Sequence, residues 1–225
     1  MCGRFTLSTS TQTLVRLFEL TDVPEIEVRY NIAPTQEIPA VRVSRGKAAR
    51  ELVRLQWGLV PAWAKDPAMG SKLINARSET VIEKPSFRAA FKSRRCLIPA
   101  DGFYEWGQVE GRKQPFYFRR RDGQPFAFAG LWEHWEDEQQ RSIDSCTILT
   151  TSANDVVRPV HERMPVILAP EDFALWLDPT VRDTEQLQAL LRPYPADQIV
   201  AYPVGTAVNS ARHDAADCIE PLNQS

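Results

Sequence analysis

Residues 96–107 read "CLIPADGFYEWG", residues 115–120 "PFYFRR" and residues 125–132 "PFAFAGLW", and whether these runs are strands or helices decides the fold. Each is short, rich in aromatic residues and bounded by Gly, Pro or Asp, which predicts strands; Asp122-Gly123 predicts a hairpin-type turn between the last two. Working upstream, Val53, Leu55 and Trp57 alternate with polar residues in "ELVRLQWGL" (51–59), a half-buried strand expected to pair with residues 38–44 across the "RGKAA" turn (45–49). The two prolines of "YNIAPTQEIPA" (30–40) predict an extended, irregular segment. Ser and Thr at 8–11 precede Leu14, Leu17 and Phe18 at helical spacing, so a capped helix is expected to run to about Leu20. "PAWAKDPAMGSK" (61–72) reads as a loop carrying Trp63, and Pro85 as the first turn of a helix bearing Phe87, Ala90 and Phe91. Downstream, "CTILTTS" (146–152), "PVILA" (165–169) and "QIVAYPV" (198–204) predict strands, while "PEDFALWL" (170–177) and "DTEQLQALL" (183–191) predict short helices. Strands outnumber helices and do not alternate with them. The expected class is therefore α+β, a mostly antiparallel, barrel-like twisted sheet with short peripheral helices.

The chain has 225 residues and no internal repeat or linker, which favours one domain over 2–225. No run approaches the roughly 18 apolar residues of a membrane helix, and the start lacks a secretory layout, so no membrane contact and a cytoplasmic location are expected. Cys2, Cys96, Cys146 and Cys218 are scattered and only three histidines are present, a spacing that predicts neither disulfides nor a metal site. The net charge of −2 conceals an asymmetry: residues 1–125 carry +8 and residues 126–225 carry −10. This predicts either a basic face or, if the halves interleave, fields that cancel.

The chain begins "MCGRF". Trimming of Met1 before a small residue would leave Cys2 with an amine of reference pKa about 8 beside a thiol of about 8.5, both usable as nucleophiles near neutrality. Such a 1,2-aminothiol reacts distinctively with aldehydes: the amine forms an imine, and the sulfur closes on its carbon to give a thiazolidine. A cysteine at position 2 can equally be incidental.

Five further stretches, "RYNIAPTQ" (29–36), "WGLVPAWAKD" (57–66), "INARSET" (74–80), "ADGFYEW" (100–106) and "HERMPVIL" (161–168), lie in fixed order between "MCGRF" and "CIEPL" (218–222). Together they resemble the SRAP family, the SOS response-associated peptidases, better described as abasic-site processing proteins. The resemblance implies covalent capture of the ring-opened aldehyde of abasic sites in single-stranded DNA, or at single-strand to duplex junctions, through Cys2. It also implies no cofactor and association with the nucleoid when bound to DNA, and we expect a monomer.

Under that resemblance the catalytic candidates are Cys2, Asn75, Glu105 and His161. Glu105, a carboxylate between aromatics, would shuttle protons; His161 would protonate the sugar ring oxygen; Asn75 would hold the open-chain sugar beside the amine. The ordinary alternatives are an outward strand glutamate, a structural histidine and a turn asparagine. Arg4, Arg77 and Arg163 each follow a catalytic candidate by two residues, an offset that along extended chain predicts a shared side and phosphate contacts. Trp63 resembles the family's wedge that stacks on bases beside the lesion, although a loop Trp is also a common core plug. Three other activities stay open: an N-terminal-nucleophile peptidase, a non-covalent reader of damaged DNA, and a lyase acting by β-elimination from the imine.

Overall fold

The computed structural model describes residues 2–22, 25–44 and 49–222. In chain order its strands are β1 (Phe5–Leu7), β2 (Arg29–Ile32), β3 (Glu37–Val43), β4 (Arg50–Trp57), β5 (Asn75–Arg77), β6 (Arg95–Ala100), β7 (Gly102–Val109), β8 (Arg112–Arg120), β9 (Phe126–Glu136), β10 (Ser142–Ser152), β11 (Arg163–Pro165), β12 (Ile167–Leu168) and β13 (Ile199–Pro203). The helices are α1 (Thr11–Phe18), α2 (Arg88–Ser93), α3 (Phe173–Leu177) and α4 (Thr184–Ala189), with short 3-10 turns in the connections.

Strands β10, β4, β3, β6 and β9 pair in that order, and β9 pairs back to β10, closing a barrel. Its ladders are antiparallel except for β4 on β10, and β5 also joins β10 in parallel. The second sheet, β13–β8–β7–β1–β2, is antiparallel throughout. The α+β class and the barrel-like, mostly antiparallel sheet are thus as the sequence predicts. Aromatic rings weld the two sheets: Phe5 of β1 meets Trp57 at 5.3 Å and Phe128 at 5.7 Å, and Phe128 meets Phe103, which stacks on Phe118 at 5.0 Å. Each buried ring of this kind contributes roughly 1.5–3 kcal/mol of burial energy.

Three local expectations need correction. The run at 96–107 is two strands in different sheets, broken at Asp101, whose carboxylate accepts from Ser8 Oγ at 2.8 Å, Thr9 N at 3.0 Å and Thr9 Oγ1 at 2.5 Å. A half-buried corner satisfied by these donors lets the chain change sheets. Asp122-Gly123 does form a turn, with Gly123 at φ 72°, but not a hairpin: β8 belongs to the second sheet and β9 to the barrel. Its carboxylate pairs with Arg120 and accepts from Gln124 N at 3.0 Å. Pro85 precedes α2 in a turn closed by Lys84 O, which accepts from Phe87 N and Arg88 N at 2.9 Å. Helix α1 is capped by Ser10, as expected, and stops at Phe18 because Glu19 turns left-handed at φ 53°. The β3–β4 pairing matches the prediction and is closed by Ser44 N to Ala49 O at 2.9 Å; residues 45–48 of the expected turn lie outside the described residues. Both sheets draw strands from either side of residue 125, and Arg29–Asp214, Arg42–Asp144 and Arg94–Glu133 pair across the halves. The charge segregation along the chain is therefore largely interleaved in space.

Candidate active site around Cys2

Strand β1 lies between β2 and β7, with Phe5 opposite Ile32 on one side and Phe103 on the other. Tyr104 N donates to Arg4 O at 3.0 Å, continuing the β1–β7 ladder toward the amino terminus. The chain enters this ladder through Cys2, which is completely buried. Its carbonyl accepts from Asn75 Nδ2 at 2.8 Å, so β5, itself aligned by Ile148–Thr150 of β10, fixes the second residue from the barrel side. Asn75 Oδ1 is buried and, among the described residues, has no hydrogen-bond partner. Burial pushes the Cys2 thiol well above its ordinary value, and the Glu105 charge adds to the rise. That corrects the sequence-based expectation of a thiol near 8.5. The cause is complete burial of the residue, with the Glu105 carboxyl of β7 nearby.

Glu105 sits on β7 opposite Phe116 and is 3% exposed. Burial raises its carboxyl above the usual carboxylate range, while the charge of nearby His161 pulls it down. The carboxyl and the thiol therefore lie within electrostatic reach, and each holds its proton more tightly than it would in water. His161 is half-buried, and its Nδ1 accepts from Arg163 N at 2.9 Å. When the ring is neutral, that contact places its proton on Nε2. The fold brings Cys2, Asn75, Glu105 and His161 together from four separate segments.

The three arginines are placed differently from one another. Arg4 Nη1 donates to Asn31 Oδ1 at 2.9 Å and to Val208 O at 2.7 Å, which makes it a clamp between β1 and the carboxy-terminal segment. Arg163 forks onto Glu79, Nη1 to Oε1 at 2.5 Å and Nη2 to Oε2 at 2.9 Å, and also donates to Thr150 O at 2.6 Å. Arg77 is exposed on β5, two residues from Asn75 and on the same face. Trp63 is 57% exposed, so it is not a core plug. Its turn is nonetheless firmly held: Ala64 N donates to Pro61 O at 2.8 Å, Trp135 Nε1 to Ala64 O at 2.6 Å, and Val60 N to Ser145 Oγ at 2.8 Å. The loop's ends pinch together where Gly58, at φ 136°, meets Gly70; a Cβ on Gly58 would stand 2.7 Å from Gly70 O.

Residues 1–211 match the family model described as SOS response associated peptidase (SRAP). This chain belongs to the SRAP family. It is similar to the abasic site processing protein YoqW of Bacillus subtilis (strain 168), 44% identical over 98% of this chain and 99% of that one. Abasic site processing protein YoaM of the same organism is 42% identical over 99% of both chains. A crystal structure of a protein from Bacteroides thetaiotaomicron superposes with a TM-score of 0.87 at 24% identity, covering 98% of this chain and 100% of that one, which shows the shared fold.

Several residues that organise this SRAP site lie inside the quoted motifs but carry no signal of their role in one dimension. Asn31 of "RYNIAPTQ" is fully buried, and its Nδ2 donates to the carbonyls of Val208, Ser210 and His213 at 3.1, 2.9 and 2.7 Å. Glu79 of "INARSET" holds Arg163. Their partners are 84 or more residues away, so only folding reveals them. His213, Asp217 and Cys218 also bring potential ligand atoms within 4.8 Å of one another, a grouping the sequence reading passed over. There His213 Nε2 and the Asp217 carboxylate already pair at 2.7 Å.

Proposed function

We propose that this protein captures the ring-opened aldehyde of abasic sites in single-stranded DNA through the amine and thiol of Cys2, exposed by removal of Met1. The observation that carries the reading is the second-position cysteine, its carbonyl held by Asn75 and its thiol lying beside the buried carboxyl of Glu105. The names of the relatives YoqW and YoaM, as abasic site processing proteins, support it. In this reading the chain acts as a DNA-protein crosslinking enzyme, its substrates include single-strand to duplex junctions, and Arg77 and Trp63 meet the strand flanking the lesion.

The chemistry follows from which group is nucleophilic. A thiol held protonated by burial is a poor first attacker, whereas an unprotonated amine can add to the aldehyde carbon. Nitrogen lone-pair attack gives a carbinolamine; a protonated Glu105 or His161 Nε2–H delivers a proton to the departing hydroxyl, and water leaves as the imine forms. The sulfur of Cys2 then adds to the imine carbon while its proton passes, through the neighbouring carboxylate, to nitrogen. The ring closes with one C–S bond made, the C=N bond reduced to a single bond, and no external reagent. Asn75 holds the cysteine backbone in attacking position. The same raised thiol counts against a peptidase whose thiolate attacks first, and ring closure removes the imine from which β-elimination would cleave the strand.

The test mixes purified protein, its trimmed terminus verified by mass spectrometry, with an oligonucleotide carrying one abasic site. A denaturant- and heat-resistant adduct is expected with the natural protein and none with Cys2→Ala. Cys2→Ser is expected to give an imine trappable by borohydride and more strand scission. A full yield of stable adduct from Cys2→Ala would place the chemistry elsewhere.

A further inference from the structure

Arg163 is one of three arginines whose sequence offset predicts a phosphate contact, yet its two terminal nitrogens are already taken up by a carboxylate in the geometry a phosphate would adopt. The two partners are not held alike. The Arg163 side chain is 19% exposed and tied to Thr150 O at 2.6 Å, whereas the Glu79 side chain is 51% exposed. If the pair opens, it is therefore Glu79 that moves out into water, leaving the guanidinium in place. Arg163 Nε is buried and, among the described residues, has no hydrogen-bond partner, so the guanidinium still has an unmet donor there. Glu79 lies in the turn that follows β5, two residues beyond exposed Arg77.

We propose that Glu79 is a specificity-determining residue, an internal phosphate mimic that occupies the fork of Arg163 and is displaced by a backbone phosphate of bound single-stranded DNA. The proposal rests on the reading of Cys2 as a trap for abasic DNA and adds a condition to it. Undamaged strands must compete with Glu79 for Arg163 and receive little net gain. At an abasic site, capture by Cys2 makes the exchange one-way. The mask thus lowers affinity for intact single strands at little cost to capture of the lesion.

Binding of an undamaged single-stranded oligonucleotide tests this apart from any covalent chemistry. Glu79→Gln is expected to tighten that binding by roughly fivefold at low salt, the scale of one exposed ion pair, and to steepen the salt dependence of log K by about 0.7, one further phosphate contact. Arg163→Ala combined with Glu79→Gln should abolish both gains. Glu162→Gln, the same charge change at the exposed residue beside Arg163, should give a much smaller one. Unchanged or weaker binding by Glu79→Gln, or an equal gain from Glu162→Gln, overturns the proposal. Glu79→Ala, melted alongside to verify folding, must behave as Glu79→Gln or the proposal fails. Because this readout involves no adduct, loss of crosslinking and loss of the mask are separately visible.

Discussion

Asn75 holds Cys2 by a single hydrogen bond to a backbone carbonyl, which separates its two contributions cleanly. Removing one such bond costs stability only about 1 kcal/mol, whereas misplacing a nucleophile by about 1 Å costs roughly 100-fold in rate. Asn75→Ala is therefore expected to slow adduct formation by roughly 10-fold or more while melting within a few degrees of the natural protein; equal collapse of both in a thermal melt and a rate assay would make the residue merely structural. Cysteine at position 2 and the residue types around it were legible in the sequence. The rise of the thiol was not, because its causes are complete burial and the charge of Glu105, which is far away in the chain. Arg163 shows the same limit: its offset from His161 is visible in one dimension, and its carboxylate partner 84 residues away is not.

Short periodicities foretold most strands and helices because each reports a local choice between one buried face and another. The run at 96–107 misled on connectivity because alternation says only that a strand is half-buried, not which sheet receives it; Asp101 and its hydroxyl donors decide that. Just past this corner Gly102 is packed under Tyr117, where a Cβ would lie 2.3 Å from the ring, and Tyr117 in turn hydrogen-bonds Thr6 of β1 at 2.7 Å. Gly102→Ala is expected to destabilise by roughly 1–3 kcal/mol, as overpacking does, and to slow adduct formation by shifting β1; a denaturant melt and a rate assay check the pair of effects. The Trp63 turn makes the opposite prediction. Its anchors are Ala64, Val60 and the Gly58–Gly70 pinch rather than the indole itself. Trp63→Ala should leave the melting temperature unchanged and weaken capture at single-strand to duplex junctions more than on a free single strand.

Across the whole molecule, burial raises the thiols of Cys2, Cys96 and Cys146 and the phenols of Tyr104 and Tyr117. A group with a raised folded-state value binds its proton more tightly folded than unfolded, so its contribution is complete below the unfolded value, about 8.5 for cysteine and 10 for tyrosine, and is lost as pH rises beyond it. Melting temperature is expected to fall by roughly 5 °C or more between about pH 8 and pH 9.5, and a flat profile in a calorimetric scan would contradict this assignment. The charge asymmetry was legible as a number and not as a field, since strand order interleaves the two halves. The clamp on Arg4 has a consequence for biosynthesis. Its acceptors are Asn31 and, more than 200 positions downstream, Val208 and Asn209. Until those residues are synthesised Arg4 lacks these partners, so the segment beside Cys2 is held less firmly in the nascent chain than in the folded protein. With Cys2 fully buried in the folded chain, trimming should be easier before folding than after it, and protein made faster than it is trimmed should keep Met1 by intact-mass analysis and form no stable adduct.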